Sequence, residues 1–378
     1  MDFEITEKQK KIFEEAVAFG REKIEPVIAE YDERCEYPVD LFREMGKRGW
    51  LGFNIPEKYG GAERDTISYT MLVMAISKYS ASLGLAIDTH YLLSEAIKLY
   101  GNDEMKENYL PKLAKTEIIG GFAITEPTAG SDAAGIEGTA VKEGDEYVLN
   151  GEKSIIVGGA VADAVIAFFK TAPEAGAKGI TAFLVDTKTP GIKKEPLNPV
   201  GLRACGLAKY KFENVRVPKE NVIGQEGQGL RIALSVLDFG RIGVASVATG
   251  IAEAALERAI EYAKKRTQFG QPIMKFQGLR WMLADIKLGV EAAKLLTWKA
   301  AYLRDKGVRY TVEAAMAKLF ATELAMKATI KAIQVHGHYG FLKDLPLERY
   351  MRDAKGLEIA EGTSEIQRFI IARALFGG

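Results

Sequence analysis

Apolar positions recur at helical spacing along the first third of the chain. Ile12, Phe13, Ala16, Val17 and Phe19 form one stripe, and Thr6 with Gln9 three residues on forms a capping box ahead of it. The same pattern predicts helices over 40–48 with a stop at Gly49, over 65–80, over 83–93 and over 102–115. In the last of these Asn102 caps, and Pro111 marks a kink or a boundary. Near residue 119 the period shortens. Segments 164–169, 180–185 and 209–217 read as strands, and 147–157 reads as a hairpin turning at Asn150-Gly151, a pair that tolerates positive φ. Beyond Gly229 long helical periods return, over 231–265 with a break near Gly240, over 276–306 and over 312–334.

Helices, then strands, then helices give an α+β multidomain chain. The expected units are an N-terminal helical domain over 1–118, a middle β-barrel or sandwich over 119–228 and a C-terminal helical bundle over 229–378. A length of 378 residues exceeds one ordinary core, which agrees with such a division.

Charge changes the picture by exclusion. Lys and Arg number 51, as do Asp and Glu, so a nucleic acid or an anionic membrane is not the expected partner. Cys35 and Cys205 are expected as free thiols in a reducing cytoplasm. The start carries no apolar signal core, and the small-apolar run over 242–252 is too short to span a bilayer. There is no dinucleotide glycine fingerprint, no Walker loop, no G-x-S-x-G elbow and no H-E-x-x-H. His336-Gly-His338 has no cysteine or acid cluster beside it, so no metal site is expected.

Four stretches carry chemistry. At Ile359-Ala-Glu-Gly-Thr-Ser-Glu-Ile-Gln367 a carboxylate, Glu361, stands in a break between two helices, where Ser364 and Gln367 read as a capping box. Phe122-Ala-Ile-Thr-Glu-Pro-Thr-Ala-Gly-Ser-Asp132 is a loop of small and hydroxyl residues, able to offer backbone N–H groups to a planar polar ligand. Lys265-Arg-Thr-Gln-Phe-Gly270 and Gln334-Val-His-Gly-His-Tyr-Gly-Phe341 are glycine-punctuated helix ends. In this order and spacing the four resemble the acyl-CoA dehydrogenase family, over nearly the whole chain.

The resemblance implies three domains, the last a four-helix bundle, assembled as a homotetramer that is a dimer of dimers. It implies FAD as cofactor, an acyl-CoA substrate and electron-transfer flavoprotein as acceptor. Flavin contacts would fall on Phe122, Ile124, Thr125, Gly130, Ser131, Ile155 and Val157. Arg266 and Phe269 would reach the FAD of a neighbouring subunit, and Gln334 and Gly337 its pyrophosphate and adenosine part. Thr363 and Glu365 would lie at a helix N-terminus against the phosphates. Glu361 matches the base that removes the proton α to the thioester carbonyl while a hydride leaves the β carbon. Ser131, Asp238 and Arg241 match positions near the substrate. Burial against Ile359 and Ala360 would raise the Glu361 pKa, and the following helix N-terminus would lower it.

Two departures bear on the chemistry. The family's Trp-Ile-Thr near the flavin reads Ile155-Ile156-Val157 here, which removes an indole and a hydroxyl. On the segment that lines the family's acyl pocket stands Asp88, with His90 and Tyr91 close behind. Asp88 either caps a helix or faces solvent, or it is a second base beside Glu361. A free acyl carboxylate, as in glutaryl-CoA, would be repelled by Asp88 unless His90 supplied a cation. A second base suits an alicyclic thioester, such as cyclohexane-carboxyl-CoA or cyclohexene-carboxyl-CoA, through 1,2- or 1,4-elimination. The alternatives are a short- or branched-chain dehydrogenase with Glu361 as sole base, an oxidase or reductase on the same fold, and a catalytically silent acyl-CoA or flavin binding protein.

Overall fold

The computed structural model describes residues 4–377; residues 1–3 and 378, at the ends of the first and last expected units, lie outside the described residues. Six helices come first: α1 Glu7–Phe19, continued by a π turn over Gly20–Ile24, then α2 Ile28–Arg34, α3 Val39–Lys47, α4 Thr66–Ser77, α5 Ala81–Tyr100 and α6 Asp103–Ala114. The strands follow: β1 Gly120–Ala123, β2 Thr139–Glu143, β3 Glu146–Ile156, β4 Ala164–Lys170, β5 Ile180–Asp186, β6 Ile192–Pro196, β7 Ala208–Pro218 and β8 Val222–Ile223. The long helix α7 Gly229–Lys265 leads through the short hairpin β9 Thr267–Gln268 and β10 Gln271–Pro272 into α8 Gln277–Asp305, α9 Thr311–His336, α10 Leu347–Ile359 and α11 Ser364–Phe376.

The Thr6–Gln9 capping box forms in both directions, and Asn102 caps α6 by accepting from Met105 N at 2.8 Å. Helix α6 runs through Pro111 without a boundary. The hairpin expected at Asn150-Gly151 is elsewhere. Strand β3 runs straight through that pair, and the turn that reverses the chain is Gly144-Asp145, between β2 and β3. Gly151 instead sits, at φ +148°, opposite a bulge in β7, where Asn214 takes φ +52° and donates its N–H to Asn150 Oδ1 at 2.8 Å.

The strands form one mixed sheet in the order β6-β7-β3-β2-β4-β5-β8, with β1 pairing parallel to β4. Period two divides its side chains between two cores. Val165, Ala167 and Phe169 of β4 face the sheet's own core, where Phe169 meets Phe212 of β7 with ring centroids 5.0 Å apart. Strands β4 and β7 are not neighbours in the sheet, so the sheet folds over on itself as a sandwich does. Ile166 and Phe168 of β4 and Ile180, Ala182 and Leu184 of β5 face the helices and join their core.

Helices α4 and α5 are apolar nearly all round because they are sheathed on all sides, by α1, α7, α8 and β1 among others. The break expected near Gly240 does not occur, since α7 is continuous over 37 residues. Its glycines allow close approach. A Cβ at Gly240 would lie 2.0 Å from Glu361 Oε2, and one at Gly243 would lie 1.8 Å from Asp88 Oδ1. By length and composition α7 passes for a membrane span, but 78% of its apolar window is buried inside the protein, as befits the central helix of a bundle.

Candidate active site

Glu361 stands in the short connection between α10 and α11, with φ +55°, a left-handed backbone that costs a non-glycine residue on the order of 1–3 kcal/mol. Two side chains clamp that turn. Lys318 of α9, fully buried, donates to Glu358 O at 3.0 Å and Gly362 O at 2.8 Å. Gln367 Nε2 donates to Gly362 O at 2.8 Å and to Glu361 O at 3.4 Å. Gln367 is therefore a brace for the turn and not half of a capping box with Ser364. The N-cap of α11 is Thr363, one residue earlier, whose hydroxyl accepts from Ile366 N. Burial pulls the Lys318 ammonium down to about 8, against the opposing pull of the Glu361 charge.

Asp88 is completely buried on α5 and neither caps a helix nor faces solvent. Its Oδ1 accepts a hydrogen bond from Tyr69 Oη of α4 at 2.6 Å. Its Oδ2 has no conventional partner, and neither does Glu361 Oε2. The two carboxyls lie beside Gly240 and Gly243, one turn apart on α7, close enough to shift one another's titration. Burial, then the Glu361 charge, push the Asp88 carboxyl well above the usual range. Burial also raises Glu361, against the Asp88 hydrogen bond and the positive charges of Arg241 and Lys318. Burial thus outweighs the helix N-terminus at Glu361. Two carboxyls so placed titrate as a pair; both are pushed up, Asp88 the further, so a shared proton favours Asp88 over Glu361.

The other residues expected near the substrate divide. Arg241 and Asp238 form an ion pair on α7, and Asp238 also accepts from Thr311 Oγ1 at 2.6 Å. Arg241 lies close enough to Glu361 to favour its anion. His90 does not join the site. Its Nδ1 accepts from Gly120 N at 3.1 Å and its Nε2 faces Leu113 O at 3.1 Å, so the imidazole brackets β1 against α6. Burial lowers its pKa to about 4, so it supplies no cation for an acyl carboxylate. Tyr91 turns its hydroxyl away too, donating to Trp50 O at 2.6 Å and accepting from Phe53 N at 3.0 Å. Only its ring reaches the site, packed on Tyr69 and Phe239. Ser131 is exposed.

On the other side of β1, Phe122 packs on Phe168, and Ile124 and Thr125 stay half-buried ahead of exposed Gly130. Strand β3 presents Ile155 at 47% exposure, and half-buried Val157 follows its end, with Ile156 between them pointing into the sheet core. Arg266 ends α7 and lies over the ring of Tyr339, which joins it to the segment carrying exposed Gln334 and Gly337. Phe269 projects from the β9–β10 hairpin at 93% exposure. Exposed Glu365 and half-buried Thr363 open α11. A flavin dinucleotide fits this donor set. The Ser154 hydroxyl is buried and unpartnered, its backbone N–H donating to Thr125 O at 2.8 Å; Ile155 offers an apolar surface to a ring, Gly337 has nothing within 4 Å of its Cβ position, and the α11 N-terminus suits phosphate.

Several residues at the site escape sequence reasoning. Tyr69 sits in an apolar helix with no motif, and Lys318 in an alanine-rich one. Lys153 and Glu126 form a fully buried pair at 2.6 Å beneath the Phe122–Asp132 loop. Lys153 also donates to Phe168 O, and Glu126 accepts from the N–H groups of Glu137 and Gly138. The Glu-Pro within the loop was the only signal that an acid is fixed there. Among the described residues, no cluster of three or more His, Cys, Asp or Glu could hold a metal.

The geometry suits an acid–base centre with a flavin-type donor set, and comparison with known proteins supplies the family. The chain matches the acyl-CoA dehydrogenase N-terminal domain over residues 6–117, the middle domain over 121–215 and the C-terminal domain over 227–376. It is 44% identical over 378 residues to an acyl-CoA dehydrogenase of Bacillus subtilis, covering 99% of each chain. Butyryl-CoA dehydrogenase of Megasphaera elsdenii superposes with a TM-score of 0.97 at 40% identity, over 100% of both chains. A chain from work on the electron transferring flavoprotein of Acidaminococcus fermentans and flavin-based electron bifurcation superposes at 0.98 with 41% identity, again over 100% of both. The chain belongs to the acyl-CoA dehydrogenase family, FAD-dependent oxidoreductases.

Proposed function

We propose that this chain desaturates a compact acyl-CoA thioester, short-chain or alicyclic, with Glu361 as the base. The observation that carries the reading is the clamped Glu361 turn, which sets its carboxylate against Gly240 of α7 one helical turn from buried Asp88 at Gly243. Glu361 takes the proton α to the thioester carbonyl. FAD, when bound, supplies the acceptor for the hydride from the β carbon. Arg241 and Lys318 keep Glu361 anionic before substrate enters, and the clamped turn fixes the angle of its carboxylate. Fixing that angle removes the orientational part of the barrier. The rings of Tyr91 and Phe239 packed on Tyr69, whose hydroxyl meets Asp88, favour a compact acyl group over a long chain. The likeness to butyryl-CoA dehydrogenase supports the same size class.

A second reading concerns the ring substrates. With the shared proton passed to Glu361, an ionised Asp88 would give the site a second group able to take a proton from a carbon further along the acyl chain. That suits 1,2-elimination on a cyclohexane-carboxyl thioester or 1,4-elimination on the cyclohexene one, each releasing one proton to a carboxylate and one hydride to the cofactor. Neutral His90 argues against a dicarboxylic substrate.

The residues expected to hold FAD are Phe122, Ile124, Thr125, Gly130, Ser131, Ile155, Val157, Gln334, Gly337, Thr363 and Glu365, with Arg266 and Phe269 reaching a neighbouring subunit's cofactor. A homotetramer agrees with the exposed stripe Trp281, Leu288 and Leu295 on α8, seven residues apart, and with bare Phe269 and Phe341. The likeness to the chain studied with the Acidaminococcus flavoprotein supports electron-transfer flavoprotein as acceptor. Free Cys35 and buried free Cys205 go with a cytoplasmic setting. The test is anaerobic mixing of FAD-loaded protein with butyryl-, isovaleryl-, glutaryl-, cyclohexane-carboxyl- and cyclohexene-carboxyl-CoA, following the flavin's visible band. Bleaching with butyryl or isovaleryl thioesters supports the short-chain reading, and bleaching with the ring thioesters alone supports a direct role for Asp88. Bleaching with none of the compact thioesters would sink both.

A further inference from the structure

We propose that Tyr69 is a positioning residue for the carboxyl pair: its hydroxyl occupies Asp88 Oδ1 and so fixes the shared proton on Oδ2, where it can serve Glu361. The proposal rests on the reading of Asp88 and Glu361 as one acid–base unit.

Tyr69 is 2% exposed on α4, its ring held between Tyr91 at 4.8 Å and Phe239 at 5.0 Å between centroids. That packing fixes where the hydroxyl points. Asp88 Oδ1, at 2.6 Å, is its hydrogen-bond partner, a short but ordinary O–H···O distance. Helix α7 closes the remaining side. A Cβ at Gly243 would lie 1.8 Å from Oδ1 and 2.5 Å from Tyr69 Oη, so only glycine lets the helix backbone cover the bond. With Oδ1 taken as an acceptor, the proton of a neutral Asp88 belongs on Oδ2. Oδ2 has no conventional partner, and neither has Glu361 Oε2.

The charged and titratable groups around the pair leave this task to Tyr69. Arg241 from α7 and Lys318 from α9 act on Glu361. Arg241 is paired with Asp238, also on α7. Tyr91, three residues along α5, spends its hydroxyl on Trp50 and Phe53. Arg304 of α8 lies over the ring of Phe239 at 4.4 Å and is held by Glu95. Burial and the Asp88 charge keep the Tyr69 phenol protonated well past the ordinary range, so it stays a donor throughout the working pH.

The test is the pH profile of kcat/KM for Tyr69→Phe, with and without Asp88→Asn, on FAD-loaded enzyme. Losing a donor to a charged carboxyl raises the proton affinity of the pair. The acid limb of Tyr69→Phe is expected to move up by about one pH unit, a tenfold change, with kcat falling more than KM rises. The protonated-carboxyl stretch in pH-difference infrared spectra of substrate-free enzyme is expected to shift with it. In the Asp88→Asn background the same substitution is expected to move neither signal. A limb that stays put in Tyr69→Phe, or moves equally in both backgrounds, overturns the role of Tyr69. If instead Asp88→Asn alone leaves the wild-type profile and spectrum unchanged, the pair itself fails, and the proposal with it. Should Tyr69→Phe not fold, Gly243→Ala carries the test, since its methyl drives the two oxygens apart while both groups remain; the upward shift is again expected, and its absence overturns the proposal.

Discussion

Gly240→Ala is a one-methyl test of the site. The added Cβ would lie 2.0 Å from Glu361 Oε2 and 2.9 Å from Leu92 Cδ2, where carbon contacts essentially never fall below 3.0 Å. The carboxylate must therefore retreat by at least 1.0 Å, the difference between 3.0 and 2.0 Å. A misplacement of about 1 Å in a reacting group costs roughly a hundredfold in rate. Stability moves much less. Alanine gains about 1 kcal/mol over glycine in a helix interior, which offsets much of an overpacking cost of about 1–3 kcal/mol. The assay is anaerobic stopped-flow bleaching of the flavin by the best thioester, beside a thermal melt. The expected result is a loss of about a hundredfold in the bleaching rate with a melting temperature within a few degrees of wild type. Gly278→Ala, whose methyl meets nothing within 4 Å, should change neither. A Gly240→Ala enzyme that bleaches at the wild-type rate would refute the placement of the Glu361 carboxylate against α7.

Lys318→Met loosens the turn: it removes the buried ammonium from Glu358 O and leaves Gly362 O to Gln367 alone, and is expected to cost about 1–3 kcal/mol by denaturant melt and to slow bleaching more than tenfold. Asp88→Asn tests the buried acid through stability. A carboxyl whose folded pKa is raised stabilises the fold below its unfolded pKa and loses that contribution as pH rises toward the folded value. The melting temperature of Asp88→Asn should therefore gain on wild type from pH 5 to pH 8, at about 1.4 kcal/mol per unit of pKa separation covered, and a difference that is flat with pH would contradict it. Lys153→Met strands the buried Glu126 carboxylate beneath the Phe122–Asp132 loop, with an expected loss of about 3–5 kcal/mol and faster loss of FAD on gel filtration.

Much of this was legible in the sequence, for identifiable reasons. Strands β4 and β5 were plain because burial on both faces writes a continuous apolar run. The caps at Thr6 and Asn102 were plain because a cap is a local contact. Glu361 announced itself as a carboxylate in a helix break. What stayed hidden is what depends on neighbours distant in sequence. Gly240 read as a break because a glycine inside a helix looks the same whether it bends the chain or admits another side chain. Asn150-Gly151 read as a turn because the same backbone freedom serves a strand that faces a bulge. His90 and Tyr91 stand beside Asp88 in sequence, but helical geometry turns them toward β1 and the Trp50–Phe53 segment. Tyr69 and Lys318 left no signal, since each meets the site only through tertiary packing.

The most direct measurement is anaerobic single-turnover bleaching of the flavin in Glu361→Gln, with thioester binding measured separately. The account predicts that the thioester still binds and that bleaching slows at least a hundredfold, the contribution of a positioned general base. Bleaching within a few-fold of wild type would contradict it and hand the proton abstraction to Asp88.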